Sequence, residues 1–464
     1  MDGLRFLLYL RGIIPLILVC CAQAEDKEKL IDEAPVFKIS GNAAFCFDVV
    51  GQTPTYYTGE DAKSTAKATT DSSTPRAVGG EAELVFTAMG KLNNGFNYGA
   101  KLTLEANKGS TGIDKMYLIF EKDYLGTLHA GNVKGPDSTM VYGGQRLLGG
   151  ACGLDGNLPN DITMATGVIS PTNMIGYSGK ATKIVYYSPI IYGVQIGVSF
   201  APDTKHVGHA ARDWANGSSC NGNDSGLYTQ GIDEKEKPSG TSNFSFGITH
   251  EYKINEDIST KLSFACVRES TRPIKTNCYY GAGDVSFTVT PTEVSLKQDL
   301  YKKEEIKLND SFSYYISGTV TYKKFSVGLG YLDNGKSRAP VEATYTDKND
   351  MFALGGFIIS KDGNAGSCWN IGSKYAFNEK LEVSMVYHNM QRKITKSDKS
   401  QGHAVSFASD YIITSGLKLF GEISFINSET SDSACRMYNL THSDKNAIKK
   451  QSATVFIVGA KITF

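Results

Sequence analysis

The sequence predicts an all-β fold, a transmembrane antiparallel β-barrel, and three observations predict it. Apolar and polar residues alternate strictly over segments of about ten residues, the length a tilted strand needs to cross a bilayer. Tight turns between these segments alternate with long polar loops. The composition, with 48 Gly, 25 Tyr and 22 Phe against 13 Pro in 464 residues, suits pleated sheet and sharp turns better than helix bundles.

The N-terminus is of another kind. Arg5 and Arg11 precede a short apolar run from Ile13 to Cys21, and Ala22-Gln23-Ala24 supplies a small-x-small cleavage pattern. Residues 1–24 are therefore expected to be a signal peptide, with one barrel domain over residues 25–464. The run is too short to cross a hydrocarbon core of about 30 Å, and past residue 24 no stretch of eighteen apolar residues occurs. Cys20 and Cys21 raise a lipoprotein alternative, but neither follows a small residue. Without Arg5, Arg11 and Asp2, 46 basic residues face 47 acidic ones, and such a balance gives no global field for holding nucleic acid.

The strands follow in order. Phe37 to Val49 sets Ile39, Gly41, Ala43, Phe45 and Phe47 on one side. In FNYGAKLTLEAN, Phe96, Tyr98, Ala100, Leu102 and Leu104 oppose Asn97, Lys101, Thr103 and Glu105. The dyad returns in FSFGITHEYKI (244–254) and in FSYYISGTVTYK (312–323). LKLFGEISF (417–425) places Leu417, Leu419, Ile423 and Phe425 against Lys418, Phe420, Glu422 and Ser424. A soluble sandwich also alternates, with its apolar face in the core. The connections separate the two architectures. Asn93-Asn94-Gly95, Tyr124-Leu125-Gly126, Asn255-Glu256-Asp257, Lys323-Lys324, Asn378-Glu379-Lys380 and Ser415-Gly416 are tight, whereas residues 51–77, 135–180, 204–241, 269–310 and 428–450 are long and polar. Short turns at one rim and long loops at the other describe a barrel of the outer-membrane type. Aromatics at the segment ends, among them Tyr124, Tyr252, Tyr322, Phe325, Tyr375, Phe377 and Tyr411, suit the headgroup boundary.

The final segment, SATVFIVGAKITF, alternates to its last residue, with Phe456, Val458, Ala460, Ile462 and Phe464 on the oily face. Paired with Phe37 to Val49 it would close the barrel and leave no edge exposed to lipid. A terminal aromatic on such a strand, here Phe464, is the mark that the barrel-assembly machinery reads.

No chemical machinery stands out. Seven cysteines follow the signal segment (Cys46, Cys152, Cys220, Cys266, Cys278, Cys368 and Cys435), scattered and without a CxxC; their odd number leaves at least one thiol unpaired, and loop disulfides stay open. His206 and His209 are the one close histidine pair, in a polar loop. Gly330 to Ser337 satisfies a phosphate-loop pattern, but Pro340 follows where a helix is required, and Leu329 and Tyr331 read as strand. No GxSxG elbow occurs. Neither enzyme activity, metal nor cofactor is expected.

Several stretches resemble the general Gram-negative porins, above all the trimeric proteobacterial group. IDKMYLIFEKDYLGTLHAGN (113–132) is similar to that family's strand, tight turn and strand leading into the long third loop. KIVYYSPIIYGVQIGVSFAPD (183–203) is similar to the hairpin that follows, and SFASDYIITSGLKLFGEISF (406–425) to a late hairpin. The resemblance implies a homotrimer in the bacterial outer membrane, in contact with its lipid, that admits small hydrophilic solutes and ions by passive diffusion. It favours sixteen strands; eighteen would result if Pro340 to Tyr345 and Met351 to Ser360 both crossed. The third loop, residues 135–180, would fold into the lumen. Asp137, Arg146, Asp155 and Asp161 are then the candidate constriction charges on the loop, and Lys38, Lys101, Glu105, Lys115 and Lys183 those on the wall. The alternatives are a surface adhesin or antigen using the barrel as a platform for its long loops, and a secreted soluble β-rich binding protein.

Overall fold

Side-chain alternation decides which surface each strand turns to lipid, and Ser311–Tyr322 displays it most plainly. Ser311, Ser313, Tyr315, Ser317 and Thr319 are buried on the inward face, while Phe312, Ile316, Val320 and Tyr322 are exposed on the outward one. In the computed structural model, which describes residues 33–58, 76–105, 112–153, 164–165, 168, 174, 177–204, 240–271, 274–279, 301–306, 308–339, 341, 351–354, 357–360, 362–435 and 447–464, this pattern recurs around a closed barrel. The expected signal peptide, residues 1–24, lies outside the described residues.

The strands are β1 (Glu33–Tyr56), β2 (Arg76–Lys91), β3 (Asn97–Glu105), β4 (Gly112–Lys122), β5 (Gly126–Asn132), β6 (Thr182–Tyr187), β7 (Val194–Asp203), β8 (Gly240–Lys253), β9 (Ile258–Thr271) and β10 (Ile274–Tyr279). They continue with β11 (Tyr301–Ile306), β12 (Ser311–Tyr322), β13 (Phe325–Asp333), β14 (Met351–Leu354), β15 (Phe357–Ser360), β16 (Ser367–Ala376), β17 (Leu381–Lys393), β18 (Lys399–Thr414), β19 (Leu417–Glu429) and β20 (Ile448–Thr463). Sixteen of them close the barrel, each antiparallel to its neighbours. β10 pairs only with β11 and β14 only with β15, so Met351 to Ser360 forms a local hairpin and does not cross. Eighteen spanning strands are thereby excluded. The same topology corrects two loop boundaries: β1 runs on to Tyr56, and the 269–310 connection contains the β10–β11 hairpin.

Closure follows the predicted pairing. β20 lies against β1 from Asn42↔Thr463 to Tyr56↔Ile448. The Gly41 amide donates to the Phe464 carbonyl at 2.8 Å, and the Phe464 amide returns a bond to the Gly41 carbonyl at 3.0 Å. With each of the sixteen barrel strands paired on both sides, the spanning backbone satisfies its own polar groups, as hydrocarbon requires. No helix among the described residues is long and apolar enough to cross a membrane.

Asparagine builds several of the tight turns. Asn255 Oδ1 accepts from the Asp257 and Ile258 amides at 2.9 and 2.8 Å, and Asn378 Oδ1 from the Lys380 and Leu381 amides at 2.8 and 2.9 Å. An Asx side chain here stands in for a turn carbonyl, which lets two strands reverse within four residues. Tyr124, Tyr252, Tyr322, Phe325, Tyr375, Phe377 and Tyr411 are exposed around this rim. They form the girdle that the sequence pattern anticipates. The phosphate-loop pattern at 330–337 falls on the end of β13 and the turn at 335–338, with Leu329 and Tyr331 outward.

The apolar core sits inside the barrel. Val141 and Cys152 of the third connection pack with Cys46 and Val50 of β1, Tyr315 of β12, Leu332 of β13, Met390 of β17 and Ile457 of β20. The lumen thus holds a packed layer between its wall and the chain that crosses it.

Candidate functional site

The connection from β5 to β6 folds inward and travels along the inner wall. It carries one short helix, α1 (Pro136–Thr139), and a 3-10 turn at Gly144–Leu147. Small polar side chains from successive strands hold it, so its course can be followed strand by strand.

At the start, Lys183 of β6 is 2% exposed and joins both ends of the loop, donating to the carbonyls of Val133 at 2.7 Å and Gly179 at 2.6 Å. α1 then lies over β7 and β8, with Pro136 and Met140 against Gly197 and Gly247. The Tyr142 amide donates to Ser263 Oγ of β9 (3.1 Å) and Ser317 Oγ of β12 (3.2 Å). Its ring hydroxyl reaches Glu251 at 2.5 Å, with Lys261 bonded to the same carboxylate at 3.1 Å. Burial and the Glu251 carboxylate push the Tyr142 phenol up to about 12, so it stays a neutral donor.

The closest approach uses glycine on both sides. Gly143 has φ +114°, and Gly144 rests on the backbones of Gly328 and Gly372, where a Cβ on any partner would collide. Beyond it, Gln145 exchanges bonds with Asn370 of β16, its amide donating at 3.2 Å and its side-chain carbonyl accepting at 2.8 Å. The Gly149 amide donates to Ser384 of β17 (2.8 Å) and the Gly150 amide to Asp410 of β18 (2.9 Å), while Lys418 of β19 donates to the Gly150 carbonyl at 3.0 Å. A disulfide from Cys152 to Cys46 then carries the loop to β1. On the return, the Ala165 amide donates to Ser428 of β19 at 2.9 Å. Tyr177 hydrogen-bonds Ser138 back at α1; burial and the charge of Asp137 push its phenol up to about 12.

The strands that the described residues of this belt leave open, β2 to β4, carry charges of both signs. A bulge between Thr103 and Leu104 leaves Asp114 as the extra residue of β4 and turns it to the lumen side, where it pairs with Lys115 at 2.9 Å and with Lys180 from the end of the loop. Lys115 also stands 4.0 Å from Glu83 of β2, and Lys180 3.9 Å from Glu105 of β3.

The candidates that the sequence suggests divide accordingly. Glu105 and Lys115 join the cluster of Glu83, Asp114 and Lys180, while Lys101 shares the inward face of β3 opposite Thr87 and Tyr117. Lys38 shares the inward face of β1 but lies nearer the short-turn rim than Cys46, exposed. Arg146 is exposed on the 3-10 turn, with a guanidinium nitrogen donating to the Ser138 carbonyl at 3.3 Å. Asp137 and Lys183 require correction as open pore charges. Both are buried where the loop leaves and rejoins the wall, Asp137 at 4% exposure, and there they anchor the loop. Burial holds the Asp137 carboxyl above the usual range, against the opposing pull of Lys183 and the Ser245 hydroxyl. Asp155, Asp161, His206 and His209 lie outside the described residues.

Sequence reasoning passed over Glu83, Asp114 and Lys180, the serines and Asn370 that hold the loop, and the disulfide. A bulge reverses the face on which Asp114 is expected, and the heights at which Ser263, Ser317, Asn370 and Ser384 align depend on register between strands. Cys46 does carry a signal, since it falls on the inward face of the first strand. Cys266, Cys368 and Cys435 are free thiols; burial pushes Cys435, at the helical turn 432–435, up to about 12.

The chain matches the family described as Gram-negative porin over residues 16–431. It is 25% identical to an uncharacterized protein of Rickettsia conorii over 296 residues, and 23% identical to one of Rickettsia prowazekii over 295. Both alignments cover 61% of this chain and 57% of the relative, so the chain spans little more than half the length of these proteins. Among solved structures, the in-vitro folded outer membrane protein OmpT of Vibrio cholerae (trimer form) aligns at a TM-score of 0.50 with 9% identity, covering 93% of this chain and all of that one, a likeness of fold. With the match extending over most of its length and a closed sixteen-stranded barrel beneath it, the chain belongs to the Gram-negative porin family and is a transmembrane β-barrel of the outer membrane.

Proposed function

We propose that the protein forms a water-filled channel through which small hydrophilic solutes and ions diffuse passively, without chemistry or cofactor. The carrying observation is the third connection held against the inner wall of a closed barrel, opposite a charged face on β2 to β4. Sixteen strands enclose more than side chains can fill, since an eight-stranded barrel is already occupied by its own. The decisive experiment is planar-bilayer recording with the purified protein. Stepwise conductance is expected, and its complete absence from a protein whose folded barrel migrates differently before and after boiling would sink the reading.

Selectivity is assigned to the open wall. Charges in a narrow aqueous passage select ions by field and size. Reversing Lys101 and Lys115 together (K101E with K115E) leaves Glu83, Glu105 and Asp114 unopposed by the wall. The reversal potential in a salt gradient should move severalfold in permeability ratio toward cations. An unchanged potential would remove these residues from the permeation path. A homotrimer is the proposed assembly, in keeping with the family; an unboiled gel with cross-linking reads the subunit number directly.

A further inference from the structure

We propose that the Cys46–Cys152 disulfide fixes the bore and the charge of the channel by closing the third connection into a belt around the lumen. The inference rests on the channel reading above. Four observations carry it.

The disulfide joins residues 106 apart in sequence and ties the loop to β1, the strand at which the barrel closes. Its tether is short: the two Cα atoms stand 6.6 Å apart, and a disulfide allows them little more. The segment it ends is Leu148-Gly149-Gly150-Ala151-Cys152-Gly153, three glycines in six residues, a stretch with high conformational freedom and little side chain to pack. That same stretch is held to the wall by hydrogen bonds, from Gly149 to Ser384 and between Gly150 and both Asp410 and Lys418, whereas at β1 the hold is covalent.

The fourth observation concerns what the tethered segment covers. Gly149 lies on the carboxylate of Asp410, and Gly153 lies so close on that of Glu422 that a Cβ there would overlap it. Glu422 is 2% exposed although it sits on the inward face of β19. Untethered, the glycine stretch can leave the wall for the passage, which both narrows it and uncovers Glu422 to it, while Asp410 keeps its ion pair with Lys418 at 2.9 Å. The cross-linked channel is therefore wider and less cation-preferring than the untethered form. Cys46 and Cys152 act as positioning residues, setting where the loop stands.

The test compares wild type with C46S/C152S, both checked for a folded barrel by the heat-modifiable gel shift. Single-channel conductance, the largest sugar or polyethylene glycol admitted into proteoliposomes, and reversal potential are measured for each. Loss of the crosslink should lower single-channel conductance, exclude the larger solutes that wild type admits and shift the reversal potential toward cations. Adding E422Q to C46S/C152S should reduce the cation shift while leaving the smaller size limit, a split that a purely structural role would not produce. A second arm treats the inserted oxidised channel with dithiothreitol until thiol labelling shows both cysteines free. There the dithiol passes two electrons and two protons to the pair and leaves as its own cyclic disulfide. This arm decides the matter if the serine variant does not fold. Identical conductance, size limit and potential with and without the crosslink would overturn the proposal while leaving the channel standing. Absence of any steps in the oxidised wild type would instead fail the channel reading itself.

Discussion

Asp137 illustrates how a charge can serve placement. Its carboxyl is buried under α1 and held above the usual carboxylate range by that burial, with Lys183 opposing the shift. A group whose folded pKa lies above its unfolded value binds more protons in the folded state, so it contributes stability at low pH that is lost as pH rises through the shifted value. Asp137→Asn should flatten that decline, which thermal melts of the folded barrel at graded pH would register; an unchanged pH profile would contradict the burial. At the glycine contact the argument is steric. A Cβ at Gly372 overlaps Gly144, and an overpacked contact costs about 1–3 kcal/mol. Gly372→Val should leave the barrel folded, displace the loop into the passage and lower single-channel conductance.

Strands contribute through their two faces. Ile316 lies midway along β12 on the lipid side, while Thr321 of the same strand faces inward. Moving a lysine to the bilayer midplane costs about 2–4 kcal/mol, and a lysine toward the lumen much less. Urea titration of folding into vesicles should accordingly separate Ile316→Lys from Thr321→Lys. Similar penalties for the two would mean that the faces are assigned the wrong way round. The turns at Asn255 and Asn378 add register: each fixes where its two strands meet, and so the height at which their inward residues stand around the lumen.

For the whole molecule, the defining feature is that one connection embraces most of the inner circumference. Leaving β5, it meets β8, β9, β12, β16, β17, β18 and β19 in turn before its covalent hold on β1. In the chain-entropy model, closing a loop of this length stabilises by about 4.7 kcal/mol, and much of that would be lost in C46S/C152S. The belt also divides the lumen. One arc is lined by loop backbone, and the other, β2 to β4, presents Glu83, Glu105 and Lys115 to the passage, with Lys180 of the loop end beside them and Asp114 buried beneath the two lysines.

The sequence by itself determined the outward and inward faces, the tight turns, and the closing partnership of the first and last strands, because a period of two and a turn residue are local properties. Resemblance carried the strand number and the inward third loop. Only the tertiary structure decided which charges meet. Asp137 and Lys183 look like pore residues until the loop's path buries them, Asp114 joins Lys180 through a bulge, and Cys46 meets Cys152 because the loop travels around the wall to reach it. Each of these depends on inter-strand register and on the three-dimensional course of a loop. Both are settled by packing between segments far apart in the chain, and no local pattern encodes them.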